Sequence, residues 1–431
     1  MKSSFGESVK FSAFPYMGDE GGEEPENEGE ATVVTEEPDE VNDVFAFNLL
    51  PRDIKAHLDR FVIRQDEAKK VLSIAVCDHY NHARYLRQLE AEDPLKAAEV
   101  EFAKQNVLIV GPTGVGKTYL VKHIADLIGV PFVKADATKF SETGYVGGDV
   151  DDLVRDLVRK ADGDVALAEH GIIYIDEIDK LATASSNMGR DVSGRGVQTT
   201  LLKLMEETEV PVRNPIDMQS QMQALFDMQR GRGRPGKDTV NTRHILFIVS
   251  GAFSGLEKIV TRRMRSGTIG FSTEASVADD EAAVFRGAET QDFIDYGFEA
   301  EFIGRLPVRV VCDALSSDDL LQIMEQSEGS LLRQYEREFA AYGVSTKFEK
   351  QALEWIAERA AEEKTGARGL LTVCERLLRD FKFEIPGTSV SQFTVSRDLV
   401  ESPESALDHY REEGRKACKV RAADEAGAYG A

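Results

Sequence analysis

Cysteine is scarce in this chain. Its 431 residues include four, Cys77, Cys312, Cys374 and Cys418, too scattered for a C-x-x-C pair or a zinc-type Cys/His cluster. Neither a disulfide framework nor a structural zinc is expected. Long apolar runs are missing too: no stretch reaches the roughly 20 apolar residues that a membrane-spanning helix requires, and the first residues lack the apolar segment of a secretory signal. The expectation is a cytoplasmic protein that makes no membrane contact. Positive charge is also in deficit, with 52 Lys and Arg against 76 Asp and Glu and a net charge of −24. Such a field repels phosphate backbones and argues against nucleic acid as a partner. At this length the chain can bury a sizeable core without covalent staples.

Composition divides the chain. Residues 1–48 read as an acidic, disordered arm, rich in Glu, Gly and Pro through position 43 and without hydrophobic periodicity. In residues 49–315, short apolar runs at 106–110, 132–135, 172–175, 245–249 and 308–312 alternate with amphipathic helical patterns, which predicts an α/β domain built on a mainly parallel sheet. Residues 316–400 carry helical patterns at 318–335, 350–362 and 369–382 and predict a small, mainly helical second domain. Residues 401–431 read as a charged tail.

Between the first apolar run and a helical pattern beginning at Tyr119 lies Gly111-Pro112-Thr113-Gly114-Val115-Gly116-Lys117-Thr118. The spacing G-x-x-x-x-G-K-[ST] lets consecutive backbone N–H groups wrap the phosphates of a nucleotide, with Lys117 on the β- and γ-oxygens and the Thr118 hydroxyl available to Mg²⁺. Tyr119 counts among the nucleotide contacts by position. About 60 residues on, Ile172-Ile173-Tyr174-Ile175-Asp176-Glu177 is an apolar strand ending in two carboxylates. Beside a phosphate loop, Asp176 suits a Mg²⁺ site and Glu177 suits polarising the attacking water; alone, such a pair would read as a solvated turn. ATP and Mg²⁺ are the expected cofactors.

These motifs resemble the AAA+ ATPases of the Clp/Hsp100 unfoldase group, in particular its ClpX branch, over about residues 49–395. The fold implied is an AAA+ P-loop sheet flanked by helices and followed by a small helical domain. The activity implied is ATP-driven unfolding and translocation of protein substrates by a homohexamer that delivers them to a ClpP-type peptidase, with no peptidase activity of its own. Residue by residue, the resemblance implies that Arg305, in Glu301-Phe302-Ile303-Gly304-Arg305-Leu306-Pro307, is an arginine finger acting in trans. It makes Arg368, in Thr365-Gly366-Ala367-Arg368-Gly369, the sensor-2 arginine acting in cis. Tyr145 and Val146, in Gly144-Tyr145-Val146-Gly147, become the pore loop that grips substrate, and Ile269-Gly270-Phe271 the loop that docks on the peptidase. Val62 and Ile63 are implied to line the adenine pocket, and Ser250 falls in the sensor-1 region. Each has a plainer reading: surface ion pairs for the arginines, a packed turn for Tyr145, a buried strand for Val62 and Ile63.

The chain also departs from that branch. It has no N-terminal four-cysteine zinc module, and the acidic arm stands in its place, either as a solvated tail or as a binding segment for a basic partner. Arg64 stands where the adenine-side signature normally has glycine. Residues 211–243 form a long irregular connection with Met218, Met222, Leu225 and Phe226 at helical spacing and an Arg-Gly-Arg-Gly-Arg run, open to reading as core packing or as a substrate-handling loop. Ala137-Thr138-Lys139-Phe140 and Ser250-Gly251-Ala252-Phe253 read more like the HslU branch, and a stand-alone remodeller without a peptidase remains the alternative function.

Overall fold

Runs of apolar residues with no polar alternation dictate strands buried on both faces, which means a parallel sheet covered on two sides. The computed structural model describes residues 47–100, 103–141, 150–182, 192–212, 238–266, 281–388 and 390–412. Among them lie the strands β1 (Val107–Val110), β2 (Phe132–Asp136), β3 (Ile172–Asp176), β4 (Glu209–Pro211), β5 (Thr239–Asn241), β6 (Leu246–Gly251), β7 (Val308–Val311), β8 (Ser345–Phe348) and β9 (Gln392–Val395). The main sheet runs β2-β3-β6-β1-β7, with every pairing parallel. This is the α/β fold expected from the five apolar runs.

Side chains alternate across that sheet as the two-residue period of a strand requires. Leu108, Val110, Ile173, Ile175, Phe247 and Val249 enter one core. Val107, Ile109, Ile172, Tyr174, Leu246 and Ile248 enter the other, which is closed by helices Pro51–Phe61, Asp66–Glu92 and Lys117–Ile128. A third core, built from Leu320 to Leu407, belongs to the small domain, whose helices Lys350–Glu362 and Ala367–Glu384 pack beside the parallel pair β8-β9.

Four expectations need correction. Phe47, assigned to the arm, is buried against Tyr80 with ring centroids 5.4 Å apart, so the folded unit starts earlier than residue 49. Residues 403–412, assigned to the tail, are helical. There Leu407 is buried and the Tyr410 hydroxyl accepts a hydrogen bond from the Thr394 amide at 3.3 Å. The single helical pattern at 318–335 is two helices, Ser317–Gln326 and Leu331–Ala340. The Ser330 side chain caps the second, and Gly329 leaves no room for a Cβ against the Tyr119 hydroxyl. The long connection at 211–243 begins and ends in order, because β4 and β5 pair antiparallel at its base; its residues 213–237, with the methionines and the arginine run, lie outside the described residues.

Candidate active site

The phosphate loop leaves the carboxyl end of β1 and opens helix Lys117–Ile128, so its amides and the positive end of the helix dipole face the same space. Glycine is required at Gly114, whose φ is +79° and where a Cβ would collide with the Thr365 carbonyl oxygen. At Gly111 a Cβ would lie 2.6 Å from the Cys312 carbonyl oxygen. The loop therefore packs backbone to backbone on the start of helix Ala367–Glu384, and the Ala367 amide donates to the Gly114 carbonyl at 2.9 Å. Gly114→Ala should break that contact and destabilise the fold by about 1–2 kcal/mol from the backbone conformation alone. A melting midpoint that stays within about 1 °C of wild type would contradict this.

Lys117 is buried, its ammonium donating to the carbonyls of Gly111 at 2.7 Å and Pro112 at 2.8 Å, and burial pushes its pKa below the ordinary value. Thr118 donates to Asp176 Oδ2 at 3.2 Å and lies 3.2 Å from the Tyr174 hydroxyl. The Tyr174 hydroxyl is 2.6 Å from Ser250 Oγ, which donates to Asp176 Oδ1 at 2.7 Å, and the Lys134 ammonium sits 3.4 Å from Asp176 Oδ2. Burial raises the Asp176 pKa, but the Ser250 hydrogen bond, Lys134, the Glu177 amide and Lys117 together outweigh it and hold the carboxyl below its usual range. An ionised carboxylate beside a hydroxyl is a hard-oxygen donor set, so Thr118 and Asp176 fit Mg²⁺. Glu177 follows directly with φ +57°, a left-handed backbone uncommon for a side-chain-bearing residue and typical of strained functional positions.

These groups line one cleft of about 530 Å³, shared by Thr113, Gly114, Gly116, Lys117, Thr118, Tyr119, Asp176 and Glu177 from the sheet domain and by Ala367, Arg368 and Leu371 from the small domain. That volume suits a nucleotide-sized ligand. Gly111, Pro112 and Val115 belong to the loop without lining the cleft, Val115 being buried beneath it. Val62 is buried and Ile63 half-buried; neither lines the cleft, although Val62 lies 3.9 Å from where a Cβ on Gly116 would stand.

Arg305 is elsewhere. Its carbonyl accepts from the Asn106 side chain at 3.1 Å, at the amino end of β1, whereas the phosphate loop leaves the carboxyl end. Four strand residues, roughly 13 Å, separate the two edges. Its guanidinium, 55% exposed, pairs with Glu206 at 2.6 Å. Tyr145, Val146, Ile269, Gly270 and Phe271 lie outside the described residues.

Sequence reasoning passed over Tyr174, Lys134 and Asp179. Tyr174 looked like a core strand residue, and only the strand register brings its hydroxyl under Thr118 and Ser250. Lys134 carried a signal, being a cation between the apolar residues Val133 and Ala135. Asp179 lines the cleft, and its Oδ1 is buried without a hydrogen-bond partner among the described residues.

A parallel sheet with a phosphate loop, an acidic strand end and a helical domain closing the cleft defines an AAA+ ATPase. Residues 103–309 match the family model of the AAA domain (Cdc48 subfamily), and residues 315–382 match that of the C-terminal, D2-small domain, of ClpB protein. The chain is 44% identical over 357 residues to proteins named ATP-dependent Clp protease ATP-binding subunit ClpX from Borrelia duttonii (strain Ly) and Borrelia recurrentis (strain A1). Each match spans 81% of this chain and 78% of the relative. The chain belongs to the ClpX family.

Proposed function

We propose that this ATPase is a protein unfoldase and translocase, working in the cytoplasm as a homohexameric ring that delivers polypeptide to a ClpP-type peptidase. One observation carries the ring: Asp176, Glu177, Lys117 and Arg368 converge on the cleft, while Arg305 stands at the opposite sheet edge. A finger that cannot serve its own cleft serves a neighbour's, and head-to-tail contacts that close make a ring. The relatives' name, which couples an ATP-binding subunit to a Clp protease, supports the peptidase partner.

In this reading Lys117, Arg368 and a neighbour's Arg305 neutralise charge on the transferring phosphoryl group, and the Glu177 carboxylate orients the attacking water and takes its proton. Thr118 and Asp176 would hold Mg²⁺, which would supply charge neutralisation on the phosphates. The water oxygen bonds to the γ-phosphorus as the bond to the β–γ bridging oxygen breaks, leaving ADP and phosphate. Arg368 sits on the small domain's helix Ala367–Glu384, so loss of the γ-phosphate changes the hold between domains. Tyr145 and Val146 are assigned to the pore that this movement drives, and Ile269-Gly270-Phe271 to peptidase docking.

The test is a purified assay of ATP-dependent unfolding of a tagged model protein, with and without a ClpP peptidase. Wild type should unfold in both and degrade only with the peptidase. Phe271→Ala should keep unfolding and lose most degradation. Undiminished degradation by that variant would favour a stand-alone remodeller or another docking segment.

A further inference from the structure

The end of helix Pro51–Phe61 and the residues behind it are tied to the small domain at successive points. Arg60 reaches Glu328 through hydrogen bonds of 2.8 and 2.9 Å, the Glu328 amide donates to the Arg60 carbonyl at 3.2 Å, and Ser327 Oγ donates to the Phe61 carbonyl at 2.9 Å. The Arg64 guanidinium pairs with Asp319 at 2.8 Å and Asp313 at 3.8 Å. The Gln65 side chain, almost fully buried, donates to the Asp313 carbonyl and accepts from the Asp313 amide, each at 2.8 Å. Asp313 lies in the connection from β7 to the small domain, and Asp319 in the first turn of helix Ser317–Gln326.

The same segment faces the phosphate loop on its other side. Val62 lies against Gly116, and the buried Lys69 ammonium holds the Val62 carbonyl at 3.1 Å while pairing with Asp59 at 2.6 Å. One short stretch of chain thus touches the nucleotide loop, the interdomain connection and the first small-domain helix.

Arg64 has a φ of +59°, a conformation that glycine adopts freely and other residues rarely do. A long cation at a position suited to glycine reaches two carboxylates that a glycine could not. Asp319 is only 13% exposed at its side chain and Asp313, which also pairs with Arg286, 23%, whereas Arg64 is 41% exposed, so water screens the pairs from the arginine side.

We propose that Arg64 is an interdomain latch: by pairing with Asp313 and Asp319 it holds the small domain closed over the cleft and lengthens the residence of bound nucleotide. This rests on the reading of the cleft as an ATP site. Arg64 does not line the cleft; it positions the small-domain wall that carries Ala367, Arg368 and Leu371.

The experiment compares wild type with Arg64→Lys, Arg64→Gly and Arg64→Glu in the full chain. Stopped-flow fluorescence follows release of N-methylanthraniloyl-ADP, and hydrogen exchange follows the Ala367 and Glu328 amides, which donate across the domain boundary. Release should quicken from Lys to Gly to Glu, by about fivefold for Gly, and both amides should exchange faster in the same order. The melting midpoint of Arg64→Gly should not fall, because glycine relieves the positive φ. A purely structural role would instead lower the midpoint along with retention. Release and exchange in Arg64→Gly and Arg64→Glu equal to wild type would overturn the latch, as would faster release with unchanged Ala367 exchange. If wild type fails to bind the fluorescent ADP, the ATP reading falls, and the exchange order alone decides whether Arg64 ties the domains.

Discussion

Glu177→Gln should bind ATP as tightly as wild type and hydrolyse it at least about a hundredfold more slowly, the loss typical of removing a positioned general base. The substitution keeps the shape of the side chain and removes the charge and the proton-accepting oxygen. Binding should survive because the groups assigned to the phosphates and Mg²⁺, namely Lys117, Thr118, Asp176 and Arg368, are untouched. The Asp176 carboxylate cannot substitute for the missing base. Its oxygens are engaged by Ser250 at 2.7 Å and Thr118 at 3.2 Å, with Lys134 at 3.4 Å, and its depressed pKa makes it a poor proton acceptor. Equilibrium binding of a fluorescent ATP analogue and single-turnover hydrolysis separate the two effects. Hydrolysis within about threefold of wild type would remove Glu177 from the reaction.

The same pair of carboxylates shows what a linear reading captures. Asp176 and Glu177 were visible because an apolar run ends in acids, and strand ends beside a phosphate loop are where parallel sheets place ligands. The network that sets their chemistry was less visible. Tyr174 is 56 residues from Thr118 and 76 from Ser250 in the chain, yet its hydroxyl lies within 3.2 Å of both. Strand order, not periodicity, makes those neighbours. One helix break was missed although the chain marks it: the apolar residues on either side of Ser327–Ser330 share helical spacing, but that segment itself is polar, with Gly329 held against Tyr119, Ser327 bonded to the Phe61 carbonyl and Ser330 capping the next helix.

A helical C-terminal domain was legible in the helical patterns beyond residue 316, but what that domain presses on was not. Gly366 and Ala367 entered only as neighbours of Arg368 in the segment likened to sensor 2, whereas they press on the phosphate loop, the Ala367 amide donating to the Gly114 carbonyl at 2.9 Å. A Cβ on Gly366 would stand 2.7 Å from the Gly114 carbonyl oxygen. Backbone approach this close couples the small domain to the loop directly, so any shift of the loop around phosphate is felt across the boundary.

Arg305→Ala should lower ATP hydrolysis by about a thousandfold, the lower range for loss of an arginine finger in GTPases, while nucleotide binding to each protomer stays intact. The side chain is available for such a role because the pair with Glu206, 55% and 43% exposed, is of the surface kind that contributes little to stability. Stability should therefore change little, which distinguishes lost chemistry from a damaged fold. Mixing gives the decisive measurement. Arg305→Ala protomers keep an intact cleft, and Glu177→Gln protomers keep an intact finger, so neither forms a working site alone. In rings assembled at random from equal amounts, about a quarter of the interfaces pair a good cleft with a good finger, and hydrolysis should return to roughly that fraction of wild type if sites act independently. An arginine acting within its own chain predicts no recovery at all, since every protomer in the mixture then lacks one of the two groups.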